Sequence, residues 1–398
     1  MPGDSSPPPL CRLRSEWQTG PAAAKDLACD IPRMTLISQR ALNRAYLARQ
    51  MLLARERVTA LQAVERLVAM QAQVARPPFI GLWTRLHGFG RSELAQALHA
   101  RTAVRVTSLR GTLHVMTTAD YIALRGALQP MLTRGTLAIL RDRAGSLDMD
   151  ALDVEARKFF RKSAATFDAL RDHLKTKFPT QDERAMAYAI RTHLPLVQVP
   201  TDATWGFPAS ADFALADTWL STKVSTASTP AEALVLRYLA AFGPATPGDA
   251  QAWSGMPGLR DTFESLRPRL VTLRDAGKRE LFDLPDGPRP DEDTPAPVRF
   301  VPDFDNLVLA HDDRSRIIAD EHRSRVTLKN LQVRATFLVD GIVAGTWKSE
   351  RKRKAAVLLI EPFGTIAKRV RAALEEEAEL LLGFLEEDAS EREVRWVS

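Results

Sequence analysis

Residues 92–116, SELAQALHARTAVRVTSLRGTLHVM, change their period halfway along. From Ser92 to Arg101 the apolar side chains recur at helical spacing, whereas Ala103 to Met116 alternates around a break at Arg110-Gly111. That is the pattern of a helix followed by strand, turn and strand. Working upstream, Thr59 and Gln62 have the spacing of a capping box, which opens a helix with Leu61, Val64, Leu67 and Val68 on its buried face. An earlier helix from Ser38 to Arg55 repeats Leu42, Tyr46, Leu47, Leu52 and Leu53. Three helices and then a hairpin is the plan of a winged helix, a variant of the helix-turn-helix used on duplex DNA.

Downstream the same plan recurs. Thr118-Ala-Asp120 starts another helix and closes a first unit over 34–149, and residues 150–229 form a mostly helical connecting region with loops at Pro195, Pro200 and Pro208. A second winged-helix unit spans 230–290. It comprises a helix from Ala231 to Phe242, a short helix to Trp253, another from Leu259 to Leu270, and two strands at Val271–Leu273 and Glu280–Leu284. The Pro- and Asp-rich run 285–297 is a loop or boundary. A third, looser unit fills 291–398. There Asp340-Gly341 joins Leu331–Val339 to Ile342–Trp347 with the residues of a two-residue hairpin turn. A strand over Ala355–Glu361, a helix from Thr365 to about Leu385 and an acidic tail follow. Residues 1–33, with Pro7-Pro8-Pro9, lack periodic apolar pattern and read as a disordered leader, with Met34 as an alternative start. The expected fold class is mainly α with small β-hairpins (α+β), arranged as tandem winged-helix units.

A chain of 398 residues holds two or three ordinary domains. Its 45% hydrophobic and 26% charged residues are those of a globular protein. No apolar run approaches the roughly 20 residues that span a bilayer, and no basic segment followed by an apolar stretch marks a secretory signal. Cys11 and Cys29 suit neither a disulfide framework nor a zinc site. A cytoplasmic, nucleoid-associated protein is the expectation. The net charge of +6 hides an uneven distribution, because residues 374–393 carry −8 and the rest of the chain +14. Seven arginines lie between Arg101 and Arg143, five between Arg40 and Arg57, and Arg351-Lys-Arg-Lys354 forms a third cluster. Separated basic patches suit a phosphate backbone tracked along a groove. Ordinary solvation of helices explains the same charges, and charge alone does not decide between them.

Residues 67–78, LVAMQAQVARPP, place Gln71 and Gln73 where a helix would run into two prolines. Two residues apart on a helix, they point in nearly opposite directions. Both face one cleft only if the helix ends there, which Pro77 and Pro78 favour by pushing the residue before each toward extended geometry. Converging uncharged amides can grip a polar ligand or fix a water. A solvated helix end is the plain alternative.

Met70-Gln-Ala-Gln73, Ser108-Leu-Arg-Gly-Thr-Leu-His114, and Phe300-Val-Pro-Asp-Phe-Asp-Asn306 with His311 to Arg314 together resemble a known family. They look like the bacterial winged-helix DNA glycosylases typified by AlkZ and YcaQ, over roughly Leu36 to Leu385, and Gly345-Thr-Trp347 fits as well. The resemblance implies three tandem winged helices that form a concave, basic DNA-binding surface. It also implies excision of bulky or crosslinked N7-alkylpurines. The catalytic motif of the family is Gln-x-Gln in one branch and Gln-x-Asp in the other, and Gln71-Ala72-Gln73 is similar to the first. The small middle residue departs from the usual bulky one.

These residue types suit that chemistry. Glutamine is never charged and cannot take a proton as a carboxylate base does. It therefore needs a bond that breaks easily, and a cationic N7-alkylpurine that leaves as a neutral base provides one. Two fixed amides would position a water or stabilise the sugar cation. No lysine flanks the pair, so a monofunctional enzyme without a Schiff-base lyase step is expected. Arg110 at the hairpin turn is a candidate phosphate contact or else a solvated turn arginine, and His114 could touch DNA or cap a core edge. Lys352 and Arg353 would meet phosphates or solvate a turn. Asp303, Asp305 and Asn306, with His311 nearby, form a candidate lesion-site loop, whose plainer role is local hydrogen bonding. His311-Asp312-Asp313 has no metal-ligand spacing, and no nucleotide-binding or haem motif occurs. Neither a metal nor a cofactor is expected. The expected partner is double-stranded DNA, bound by a monomer. The rival reading is a non-catalytic winged-helix DNA-binding protein or transcription regulator, which would tolerate changes at both glutamines and would commonly dimerise. The acidic tail could shield the basic groove or aid solubility.

Overall fold

Local chemistry sets the first elements of the computed structural model, which describes residues 35–397 except for the side chains of 144–146. The leader, with Cys11 and Cys29, lies outside the described residues. A short strand β1 (Thr35–Leu36) precedes α1 (Gln39–Arg49), capped by Ser38 Oγ. Helix α2 (Ala60–Leu67) begins in the expected capping box between Thr59 and Gln62. It ends sooner than expected, because Val68 takes a positive φ of 63°. The chain then enters a two-residue strand, β2 (Met70–Gln71). The two prolines do not end a helix here; Pro77 and Pro78 begin one, α3 (Pro77–Arg85). Proline lacks the amide hydrogen that a first helical turn leaves unused, and its φ is already helical. The expected third helix is therefore the fourth, α4 (Arg91–His99).

The hairpin read from the change of period is present as β3 (Ala103–Thr107) and β4 (Leu113–Thr117), joined by a tight turn over Leu109–Gly111. Thr117 caps the long α5 (Thr118–Leu140). The connecting region contains α6 (Met149–Phe160), α7 (Phe167–Lys177) and α8 (Glu183–His193). It also contains two unexpected strands, β5 (Leu196–Gln198) and β6 (Phe213–Leu215), before the short α9 (Ala216–Leu220). Next come α10 (Glu232–Phe242), α11 (Pro247–Ser254), α12 (Arg260–Leu266), β7 (Val271–Arg274) and β8 (Glu280–Asp283), close to the expected order. The last stretch holds β9 (Arg299–Val301), α13 (Arg323–Val326), β10 (Thr336–Val339), β11 (Ile342–Lys352), β12 (Ala355–Pro362), α14 (Lys368–Leu385) and β13 (Glu391–Trp396). The acidic tail is thus the second half of a helix and an edge strand parallel to β12.

The hairpins are parts of larger sheets. Two five-stranded sheets run β2-β4-β3-β5-β6 and β13-β12-β11-β10-β9, and a third runs β1-β7-β8. Side-chain packing crosses the boundaries read from the sequence. Val64, Phe79, Leu82 and Leu94 share one apolar core with Phe300, Phe337, Trp347 and Phe384. A second core joins Tyr46, Val104 and Met116 to Leu239, Trp253 and Leu307. The third packs α6, α7 and α8 on β5 and β6. Gly81 lets α3 approach β2 closely, since a Cβ there would stand 2.6 Å from Met70 Cε. The buried Arg85 guanidinium closes the same seam with a two-point pair to Asp305, at 2.8 and 2.9 Å. Among the described residues, no helix is long and apolar enough to cross a membrane.

Candidate active site

The seam between β2, α3 and the loop after β9 encloses a small cavity of about 10 Å³. Gln50, Met70, Gln71, Pro77, Pro78, Arg85, Asp303, Asp305 and Asn306 contribute to its wall. That is room for about one water. Pro77 and Asp303 also line an open cleft of about 370 Å³, with Arg76, Arg334, Trp347, Lys348 and Ser349 on its other sides. Asp303 thus stands between a seat the size of a water and a space large enough for a base.

Gln71 reaches this place on β2. Gln73 lies just beyond the strand, in a bend, and no helix runs through the pair. Gln71 is buried and pairs across the sheet with His114. Its Oε1 accepts from Arg110 Nη2 at 2.7 Å. A guanidinium only donates, which fixes the amide orientation and leaves Nε2 as the free end. Gln73 is exposed and does not line the small cavity, and its Oε1 accepts from the Leu113 amide at 3.4 Å. Both amide oxygens are therefore tied to one hairpin, but only Gln71 meets the cavity.

Two arginines hold the motif. Arg105 on β3 is buried, and its Nε and Nη2 donate to the Ala72 carbonyl at 2.9 and 2.7 Å, with Nη2 also 3.3 Å from that of Gln73. Burial pushes its guanidinium down to about 10. Arg110 takes a left-handed backbone at the turn (φ 53°) and points inward, donating to the Trp253 carbonyl as well as to Gln71. Burial lowers it too, to about 10. The sequence offers Arg110 as a phosphate contact or else as a solvated turn arginine; in the fold it faces the glutamine.

His114 needs a firmer correction. It has no exposed surface, so in this fold it has nothing to offer DNA. Burial, then the charge of Arg110, push its imidazole down to about 3. The ring is neutral, Nδ1 donates to the Thr112 carbonyl at 3.1 Å, and Nε2 is left to accept from Arg110 at 3.5 Å.

The loop after β9 divides its candidates. Asp305 is a structural anchor: besides pairing with Arg85 it accepts from the Leu307 amide. Asn306 Nδ2 donates to the Ala69 carbonyl, while its buried Oδ1 finds no partner among the described residues. Asp303 has no ion-pair partner within 4 Å among the described residues. Burial raises its carboxyl pKa, against its own backbone amide and the more distant Arg76. His311 does not belong to this loop site. It is buried against Tyr46, and its Nε2 donates to the Phe242 carbonyl at 3.0 Å. Its adjacency in sequence to the loop misled because the chain turns away at Asn306–Val308. Among the described residues, no three His, Cys, Asp or Glu side chains gather as a metal site.

Lys352 and Arg353 sit exposed at the tip of the β11–β12 hairpin, where Arg353 takes a positive φ of 56°. Next to the tip Arg351 is paired with Glu386 and Asp388, so part of the acidic tail braces this hairpin. Arg76 and Arg105 were not singled out from sequence. The one available signal was an arginine at an inward position of the alternating strand Ala103–Thr107.

This architecture is shared. The structure superposes on that of Streptomyces sahachiroi DNA glycosylase AlkZ with a TM-score of 0.74, covering 91% of this chain and 100% of that chain at 22% identity. No curated protein sequence matches the chain. The class defined is that of the DNA glycosylases. Residues 64–384 match the family described as DNA glycosylase AlkZ-like. The chain belongs to that family.

Proposed function

We propose that this DNA glycosylase is monofunctional and hydrolyses the N-glycosidic bond of bulky or crosslinked N7-alkylpurines in duplex DNA, acting as a monomer. The observation that carries the reading is the placement of Gln71. Gln71, its uncharged amide fixed by Arg110, contributes to the wall of a cavity the size of a water, beside an open cleft. Neutral amides suffice where the leaving base is already cationic and departs neutral. An open cleft suits a bulky adduct better than a tight base-flipping pocket. Lys348, the one lysine on the cleft, is exposed and paired with Glu350. That is the opposite of the desolvated setting that makes a lysine nucleophilic, and it supports hydrolysis without a lyase step. Lys352 and Arg353 are assigned to DNA phosphates, whereas Arg110 and His114 serve Gln71.

The test is release of 7-methylguanine from methylated duplex DNA, resolving free base from abasic strand. Release by the wild type that collapses in Gln71→Ala/Gln73→Ala is the expected result. Release untouched by the double substitution would move the chemistry elsewhere. Retained duplex binding with no release would favour a non-catalytic role.

A further inference from the structure

Hydrolysis of an N-glycosidic bond leaves a proton to be placed, and glutamine cannot hold it. When water adds to the sugar C1′ of a cationic N7-alkylpurine nucleotide, the C1′–N9 electron pair goes to the base, which leaves neutral. The positive charge reappears as the second proton of the water. Two carboxylates border the cavity that Gln71 lines. Asp305 is committed, with both oxygens on the Arg85 guanidinium. Asp303 is not.

We propose that the carboxylate of Asp303 takes the proton from the attacking water, in a seat it shares with Asn306 Oδ1 and the Gln71 amide. The assignment rests on the glycosylase reading above. A water in a cavity of this size needs two to four polar partners. It can donate one hydrogen to the unpartnered Asn306 Oδ1 and the other to Asp303. It can accept from Gln71 Nε2, the end of the amide that Arg110 leaves free. Its remaining lone pair would face the cleft, which shares Pro77 and Asp303 with the cavity. The step balances: water oxygen bonds to C1′, the bond to N9 breaks, and Asp303 becomes the neutral acid.

The backbone supports the division of labour between the two carboxylates. Phe304 between them holds a left-handed conformation, φ 59°, which a bulky side chain adopts only when its surroundings impose it. One neighbour is turned to the arginine, the other to the cavity and cleft. Burial without a paired cation raises the Asp303 pKa toward the range in which a carboxylate accepts protons effectively.

The experiment is single-turnover release of 7-methylguanine as a function of pH, for the wild type, Asp303→Asn and Asp303→Glu, with duplex affinity measured in parallel. The methylated base carries its positive charge throughout the acidic range, so an acid limb reports the enzyme. The wild-type rate should fall on acidification with an apparent pKa above 3.8, the ordinary aspartate value. Asp303→Asn should release base about 100-fold more slowly or worse, lose that limb, and bind duplex as well as the wild type. Asp303→Glu should recover part of the rate together with the limb. Asp303→Asn at the wild-type rate, while Gln71→Ala stays inactive, would overturn the assignment and leave the glycosylase standing. A wild-type profile with no acid limb would also overturn it, even if the asparagine variant did not fold. So would a limb without a solvent deuterium isotope effect, because Asp303 would then stabilise charge rather than accept a proton. Wild type that releases no base would remove the function and this role together.

Discussion

Arg110 spends backbone energy to reach its place. A left-handed conformation costs a non-glycine residue about 1–2 kcal/mol, and here it turns the guanidinium away from solvent onto Gln71 and Trp253. Removing it frees the Gln71 amide to rotate and leaves the Nε2 end unfixed. Arg110→Met should therefore slow base release by about 10- to 100-fold, the scale of a misplacement near 1 Å, with duplex affinity nearly unchanged. Single-turnover rates at saturating enzyme, beside an anisotropy titration, separate the two quantities. A drop in affinity at constant saturated rate would return Arg110 to the phosphate role read from its sequence position. That reading went astray because a turn arginine is normally solvated, and nothing local tells that Trp253, far along the chain, supplies an acceptor. Gln71 and Gln73 were legible as a pair, but not their geometry. The prolines beyond them were read as a stop when they are a start, and the positive φ at Val68 has no signature in a β-branched residue.

At the scale of elements, what was legible was local. Thr59 with Gln62, and Asp340-Gly341 with φ of 47° and 79°, specify a helix start and a type I′ turn by their own chemistry. Strands β2, β5, β6 and β13 were missed because each is short or charged and exists only through a distant partner. Glu391–Trp396 reads as a polar tail until β12 offers it an edge. The hairpin tip, by contrast, makes few demands on the fold. Lys352→Ala/Arg353→Ala should leave the melting temperature unchanged and reduce the slope of log affinity against log salt by about 2, one for each phosphate that the protein no longer neutralises. Titrations at three or more salt concentrations give that slope. An unchanged slope would make the two residues solvated turn cations and nothing more.

For the whole molecule, the decisive feature is that the first and last thirds of the chain share a core, with the ion pair of Arg85 and Asp305 sealed between them. Breaking a buried pair from one side strands the other charge. Arg85→Ala should accordingly cost about 3–5 kcal/mol. The loss should shift the entire unfolding transition rather than a part of it. Chemical denaturation followed by tryptophan fluorescence and by far-ultraviolet dichroism checks both points, since two separated transitions would mean the thirds fold independently. Boundaries drawn at proline-rich loops could not reveal this, because a loop marks where the chain leaves an element and not where its side chains pack.

The same shared core sets a schedule for making the enzyme. Gln71 emerges from the ribosome more than two hundred residues before Asp303, an interval of roughly ten to fifty seconds at ordinary rates of translation. Late in that interval the nascent chain carries its glutamines and most of its arginines, yet the far wall of the cavity has not been synthesised. A half-made chain lacks Asp303, Asp305 and Asn306, which complete the cavity beside Gln71. The candidate site is thereby completed only in the last quarter of translation.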